Sequence, residues 1–370
     1  MRLKNPRRFV SVALLTAALA SGAAAQSSTI VDLGTFSGDS FVSGINAGGT
    51  VAGYSNSVQN SRPQAFVYQN GNLSNLGTLG GATSQAHAIN ASGLVVGESY
   101  TAANRNHAFA YAPGGAMQDI GTLGGNFSVA TGVNDAGMIA GYAGLDSGAT
   151  HSFTYANGVK NDIGTLGGTD SFATGINSGG EVVGYSYAAG DSAYHAYTYQ
   201  NGAMSDIGTL GGSQSFANAV NNSGLVTGVS YTANDAAQHA FVCINGAMID
   251  LGTLGGQNSV AHAINSQGDI VGTSNLSDGY TDAPFLYRNG TMLDLNTLLP
   301  ANSGWILTDA YGINDSGLIV GDGTFNGQER AFLLKPAVTA TPAPSSLFVA
   351  SIGALVMGTA LRRRRRGLLA

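Results

Sequence analysis

Four of the six histidines in this 370-residue chain, His107, His151, His195 and His239, stand at 44-residue intervals, and each is followed 11 or 12 residues later by an aspartate: Asp119, Asp162, Asp206 and Asp250. A carboxylate behind an imidazole orients the base of a catalytic triad or a metal-bound histidine. Either use needs several groups to converge on one point, whereas a fixed spacing distributes equivalents over successive structural units. The pairs are therefore read as polar contacts inside a repeated hairpin. His87 and His262 share the context Ala-His-Ala-Ile-Asn, which the repeat places on an inner strand. Two imidazoles without a neighbouring carboxylate or cysteine are a weak basis for a metal site.

The other chemical motifs fall short in specific ways. The Asn-Asp-x-Gly turns at Asn134 and Asn314 lack the alternating acidic ligands and bidentate Glu of a calcium loop. Their chemistry is that of turns, where Asn and Asp bond their own backbone. The Gly-Gly stretches lack the lysine and following helix of a phosphate loop, and no nucleophile elbow occurs. Paired carboxylates suffice for glycoside cleavage, but Glu98, Glu181 and Glu329 are the only glutamates. No catalytic residue and no cofactor is assigned.

What positions these residues is a repeat. Ile/Val-Asn followed by two spaced glycines recurs at Asn46, Asn90, Asn134, Asn177, Asn221, Asn265 and Asn314, with separations of 44, 44, 43, 44, 44 and 49. Each unit offers four short extended segments. In the third unit 128–133 and 138–142 flank an Asn-Asp-Ala-Gly turn, while 151–155 and 159–163 flank Asn157-Gly158, a strong hairpin signal because both residues tolerate positive φ. Four antiparallel strands in about 44 residues match one propeller blade. β-Solenoid coils are usually shorter, and separate sandwiches of this size would lack a core.

The third strand, ending in Phe or Tyr, occurs seven times (Phe66, Phe109, Phe153, Tyr197, Phe241, Phe285, Phe332), and so does its Asp-Leu/Ile partner. The first partner, Asp32-Leu33, precedes the first unit, and the last unit lacks one. A ring closes if residues 30–33 supply that outer strand, removing an open edge. The expected fold is all-β, a seven-bladed propeller of four-stranded blades over 26–336. Within the hairpins Gln64 accompanies Asn75 where His and Asp are replaced, Arg330 would face Asp32 across the closure, and Ala283 opposite Asp294 departs from the pattern.

The ends read as addresses. Arg2, Lys4, Arg7 and Arg8 precede an apolar run, 9–20, and small residues ending at Ala25. This is a secretory signal peptide cut between Ala25 and Gln26. A linker, 337–344, leads to an uncharged apolar stretch, 345–361, and then to Arg362, Arg363, Arg364, Arg365 and Arg366. Seventeen residues just suffice for a transmembrane helix, and the basic cluster would hold its end in the cytoplasm. Nine of the 15 basic residues lie in these two ends, leaving six against 21 acidic residues in the body. That balance excludes nucleic acid as a partner and suits cations or neutral glycans. Cys243 is the only cysteine, so no intrachain disulfide forms.

His-Ala-Phe with Asp-Leu/Ile-Gly-Thr-Leu-Gly-Gly and Ile-Asn-x-x-Gly-x-Val-Val-Gly resembles the extracellular HAF-repeat family over about residues 30–335. The resemblance implies an extracytoplasmic protein and carries over no catalytic residue. Pro342-Ala343-Pro344, the apolar stretch and the arginine run look like a PEP-CTERM sorting signal, with Ala343 where that motif has Glu. That likeness implies an exosortase as partner, beside the secretion machinery and signal peptidase, in the envelope or matrix of a Gram-negative bacterium. A retained membrane anchor is the alternative.

Binding chemistry is sought where the repeat is broken. The loops after the second strands, such as 100–106, 186–194 and 231–238, vary most. Tyr100, Tyr187 and Tyr231 share one offset from the preceding Gly amid short polar residues, an arrangement suited to sugar rings; half-exposed packing is the competing reading. Trp305, the single tryptophan, lies in a five-residue insertion and is either packed at the seam or a ligand platform. The expected function is non-enzymatic, the binding or organising of exopolysaccharide or envelope proteins. The alternatives are a secreted carbohydrate-active enzyme and a ligand-free spacer.

Overall fold

A computed structural model describes residues 28–36, 38–56 and 62–336. The signal segment with its Ala25–Gln26 junction, and the tail with Pro342, Ala343, Pro344 and the arginine run, lie outside the described residues. Among the described residues no helix is long and apolar enough to cross a membrane.

The strands form seven four-stranded antiparallel sheets. Blades 1 to 6 occupy 40–75, 80–119, 124–162, 167–206, 211–250 and 255–294; blade 7 takes three strands from 305–335. Its fourth strand is Thr29–Asp32, which pairs antiparallel with Gln328–Lys335 in the register Thr29↔Lys335 to Asp32↔Phe332. The closure expected from strand counting is thus the one observed.

Each strand forms for a local reason. Five of the outer hairpins turn at Asn-Gly pairs with both residues at positive φ, as in Asn157 (53°) and Gly158 (79°), and blade 2 uses Gly114-Gly115 instead. Val-Val-Gly begins the second strand because the valines fill the core while the Gly lets the sheet close up. A Cβ on Gly184 would lie 2.0 Å from the Phe172 carbonyl oxygen. Above that bare backbone sits the third-strand aromatic of the same blade, such as Phe66, Phe109 and Phe153, each fully buried. Tyr197 replaces Phe in blade 4 and satisfies its hydroxyl by donating to Ser152 Oγ at 2.8 Å.

The apolar core is divided into seven wedges. One holds Val183 and Ala196 of blade 4 with Ala217, Val226, Phe241 and Cys243 of blade 5. Another joins Leu33, Val320 and Ala331 of blade 7 to Val42, Val51 and Phe66 of blade 1. No blade encloses a core of its own, which is why the array must close.

Two polar ladders tie the wedges together. Each repeat Asn sits at the turn after an inner strand, buried, and its Nδ2 donates to the carbonyl of the next repeat Asn. The chain of bonds runs Asn46→Asn90 (3.0 Å), Asn90→Asn134 (2.9 Å), Asn134→Asn177 (3.1 Å), Asn177→Asn221 (3.1 Å), Asn221→Asn265 (2.9 Å) and Asn265→Asn314 (3.3 Å). Asn314 donates back to Asn46 at 3.0 Å and completes the circle. Each Oδ1 meanwhile accepts the backbone N–H four residues on, as from Leu225 to Asn221 at 3.0 Å. The residue read from sequence as a turn former is therefore also the bond between blades.

The second ladder uses the inner-strand serines. Ser215 Oγ accepts the Ala196 N–H of the preceding blade at 2.9 Å and donates to the Gly208 carbonyl at 2.6 Å. Ser84, Ser128, Ser171 and Ser259 do the same. The Gly-Thr-Leu-Gly-Gly stretch is accordingly docked along its length rather than being a mere connection.

Candidate functional site

The chain direction sorts the molecule into two ends. The Asn turns and outer Asn-Gly hairpins share one, the turn face. The loops after the second strands and the Gly-Thr-Leu-Gly-Gly stretches share the other, the loop face.

The His–Asp pairs line the outer part of the loop face. His107, His151, His195 and His239 each bring Nδ1 within 2.6–2.9 Å of the partner carboxylate. The pairing read from co-variation is correct, and its aspartate has a second duty that sequence did not suggest. In each pair the Asp also accepts the N–H of the Gly two residues on, as in Asp162 with Gly164 at 2.8 Å. Asp294 accepts from Asn296 in the same way, which explains why blade 6 keeps its Asp although Ala283 offers no imidazole. Gln64 does not follow the pattern: its amide nitrogen, Nε2, donates to the Pro63 and Ala82 carbonyls, and Asn75 Oδ1 accepts the Gly77 N–H. Arg330 Nε lies 3.8 Å from Asp32 Oδ2, a long, partly exposed pair. At that geometry it is worth less than about 1 kcal/mol, so strand pairing and Leu33, not this ion pair, hold the ring shut.

Nearer the axis, each blade contributes a cross-strand pair of side chains from its inner and second strands. In blade 4 these are Phe172 and Tyr185, stacked at 5.1 Å. Tyr142 of blade 3 meets Phe172 at 5.2 Å, and Tyr185 meets Phe216 of blade 5 at 5.0 Å. Tyr194, from the start of the third strand, packs on Phe172, Tyr185 and Phe216, and Tyr187 stacks on Tyr194 at 3.8 Å. Six rings thus form one continuous half-buried cluster across blades 3 to 5. Burial pushes the Tyr142 hydroxyl up to about 12, the Glu98 carboxylate adding to the effect.

Of the aromatic residues singled out in sequence, Tyr187 belongs to this cluster. Tyr100 occupies the same position on blade 2 and is 37 % exposed, and Tyr231 is half-buried on blade 5. Trp305 is only 8 % exposed; its ring stacks on Phe325 at 5.0 Å and meets Phe332 edge-on at 6.1 Å. Of the two readings of Trp305, packing is the one its surroundings match: one ring face lies on Phe325, and the ring is buried in the wedge shared by blades 6 and 7. Tyr142, Phe172, Tyr185, Tyr194 and Phe216 were not found from sequence. Their signal was period-44 substitution of aromatics at two strand positions, visible only once the strands are aligned.

The same tier is ionisable on the opposite side of the axis. In blade 7 the cross-strand pair is Asp309 and Asp322. Burial alone would raise Asp309, but His262 Nε2 at 3.4 Å, the Thr273 hydroxyl and the Ala310 N–H hold it below the usual carboxylate range. Asp322 accepts the Val42 N–H of blade 1 at 3.3 Å, and burial, with the charges of Asp309 and Glu329, pushes it up to about 8. Blade 2 holds a smaller counterpart, in which His87 Nε2 stands 3.8 Å from Glu98 and Asn106 donates to Glu98 at 2.5 Å. His87 and His262 therefore do have carboxylate neighbours, brought from other strands. Among the described residues no group of three or more His, Cys, Asp or Glu side chains could hold a metal ion.

Asp322 yields a pH test. An acid whose folded pKa is raised keeps its proton in the folded state while the unfolded chain has lost it, so stability falls as pH rises from about 4 to about 8. Asp322→Asn should remove that slope: its melting temperature should exceed the parent's by about 3 °C or more at pH 8 and match it near pH 4. Parallel pH profiles for the two proteins would refute the assignment.

At the turn end of the axis lies a cavity of about 220 Å³ lined by the Asn ring and by residues such as Ile45, Ile89 and Val133. Its carboxamides are committed to one another, and the Asp135, Asn222 and Asp315 side chains accept backbone N–H groups of neighbouring turns. The loop face is the better candidate for binding.

Fold and site define a closed seven-bladed β-propeller with a chemically two-sided loop face. No protein-family model matches the chain, and no curated protein matches it. Solved structures similar to it include the β-propeller domain of the Trilobed protease from Pyrococcus furiosus, which has an open velcro topology. The likeness to that domain has a TM-score of 0.52 at 8 % identity, covering 82 % of this chain and 99 % of the other. A puromycin hydrolase gives a TM-score of 0.52 at 12 % identity, covering 85 % of this chain, which spans 56 % of that protein's length. At such identities the likeness establishes the propeller fold.

Proposed function

We propose that this chain is a non-enzymatic, exported surface or matrix protein that binds or organises polysaccharide through its loop face. The observation that carries the reading is the six-ring cluster of Tyr142, Phe172, Tyr185, Tyr187, Tyr194 and Phe216. Aromatic faces accept the apolar faces of pyranose rings, and neighbouring Asp170, Asp191 and Thr169 supply hydrogen-bonding groups to fix orientation. The two ends of the sequence support export, with secretion machinery, signal peptidase and an exosortase as processing partners in a Gram-negative envelope. A propeller of equivalent blades, with its His–Asp pairs spread around the rim, suits presentation of a repetitive surface.

Replacing both Tyr187 and Tyr194 by Ala should weaken glycan binding by about 2 kcal/mol or more, on the order of thirty-fold, in a protein that remains folded at the assay temperature although it loses the ring contacts of Tyr194. A glycan array run with parent and double variant decides it; undiminished binding would remove the cluster from the reading. A second reading, a carbohydrate-active hydrolase or lyase, is favoured by Asp309 and Asp322, two carboxyls whose environments drive their protonation apart. Release of reducing sugar that disappears in Asp309→Asn would replace the first reading by the second.

A further inference from the structure

The distribution of charge is as two-sided as the distribution of rings. All 21 acidic residues lie among the described residues. Only Asp135, Glu181, Asp269 and Asp315 belong to the turn face, where Arg288 is bonded to Asp269 at 2.8 and 2.5 Å and Lys335 ends the last strand; Lys160 starts from that face, but its ammonium reaches the Gly121 carbonyl at 2.5 Å. The other 17 acidic residues run from mid-strand to the loop face, where the described basic groups are Arg62, Arg105, Arg330 and the Lys160 ammonium beside Gly121. Arg330 is already engaged by Asp32, Gly38 and Gln328.

This negative charge borders the aromatic cluster directly. Asp170 Oδ1 accepts the Thr150 N–H at 2.7 Å, and Asp191 Oδ1 accepts the Thr169 N–H at 2.7 Å, beside Tyr187 and Tyr194. Asp235 does the same for Ser213 on blade 5. These bonds fix the carboxylates and leave their charge at the face. Farther round the same tier stand Asp309 and Glu98, both held ionised by their partners.

A field of one sign repels polyanions and concentrates cations, and an aromatic face next to carboxylates favours a cationic ligand over its neutral analogue through cation–π attraction and charge-assisted hydrogen bonds. We propose that the loop face takes a polysaccharide bearing free amino groups, its pyranose rings laid on the aromatic cluster of blades 3 to 5 and its ammonium groups received by the flanking carboxylates. The inference rests on the glycan-binding reading and narrows it, excluding uronate-rich polymers as direct ligands.

The test is calorimetric titration of the purified full chain at pH 6 with three hexamers: glucosamine, N-acetylglucosamine and the neutral glucan cellohexaose. The glucosamine hexamer should bind about ten-fold or more tightly than either of the others, lose that advantage as salt is raised toward about 0.5 M, and weaken in the Tyr187→Ala, Tyr194→Ala double variant. Equal binding of all three overturns the amine preference and leaves glycan binding standing. Binding of none overturns both. Glucosamine binding that is untouched by the double variant also overturns the proposal, since it would report a polyanionic surface without a sugar platform.

Discussion

Deleting residues 26–36 should lower the melting temperature by about 10 °C or more and make the protein prone to aggregate. The deletion removes the outer strand Thr29–Asp32 of blade 7 together with Leu33, 2 % exposed in the wedge between blades 7 and 1, and Phe36, which packs edge-on to Phe66 at 6.4 Å. At about 1.5–3 kcal/mol for buried Leu33 and roughly half that for each of half-buried Ile30 and Phe36 the apolar loss is on the order of 4 kcal/mol, before the strand hydrogen bonds are counted. The Gln328–Lys335 strand is left with an open edge, a template for pairing with other chains. Calorimetry with size-exclusion chromatography checks both halves of the expectation. Arg330→Met serves as the control, and should shift the melt by no more than about 1–2 °C. A deletion that melts like the parent would mean that the ring closes elsewhere.

Asn221→Asp should be nearly as damaging, at about 3–5 kcal/mol or roughly 5–10 °C near neutral pH. The change is isosteric and keeps the acceptor that serves the Ser223 and Leu225 N–H groups. It replaces the donor to the Asn265 carbonyl, 2.9 Å away, with a carboxylate oxygen at a site 5 % exposed. Burial and the facing carbonyl raise the pKa of the introduced acid in the folded state only, so the deficit grows as pH rises above about 4 and shrinks on acidification, when the protonated acid can donate again. Melting curves at pH 4 and pH 7.5 separate this from simple misfolding, which would show the same loss at both.

The contrast between these positions shows what was legible in the chain. The strand at 30–33 could be placed because seven third strands require seven partners and one partner stood at the wrong end. The His–Asp hairpins could be paired because two positions on neighbouring antiparallel strands change together, the Asp facing the aromatic residue and the His standing two residues before it. Asn221 and its six equivalents were seen as the markers of the period, yet six of their bonds run 43 to 49 residues along the chain, the closing one 268, and all go from one blade to the next. Nothing in one repeat indicates that its carboxamide is aimed at a neighbour. The aromatic cluster was hidden for the same reason: Tyr142, Phe172, Tyr185 and Phe216 come from three blades and meet only because consecutive sheets pack face to face. Trp305 carried two readings, seam packing and a platform, since a large ring in a loop insertion suits either until the wedge it fills is known.

Sequence by itself determined the blade, the number of blades and the strand that closes them, because period, alternation and turn chemistry act over a few residues and repeat. Tertiary structure alone decided which side chains share the axis and which end carries the charge. Both depend on the direction in which each strand runs and on blade-to-blade contacts, and the closing of the ring creates those contacts together.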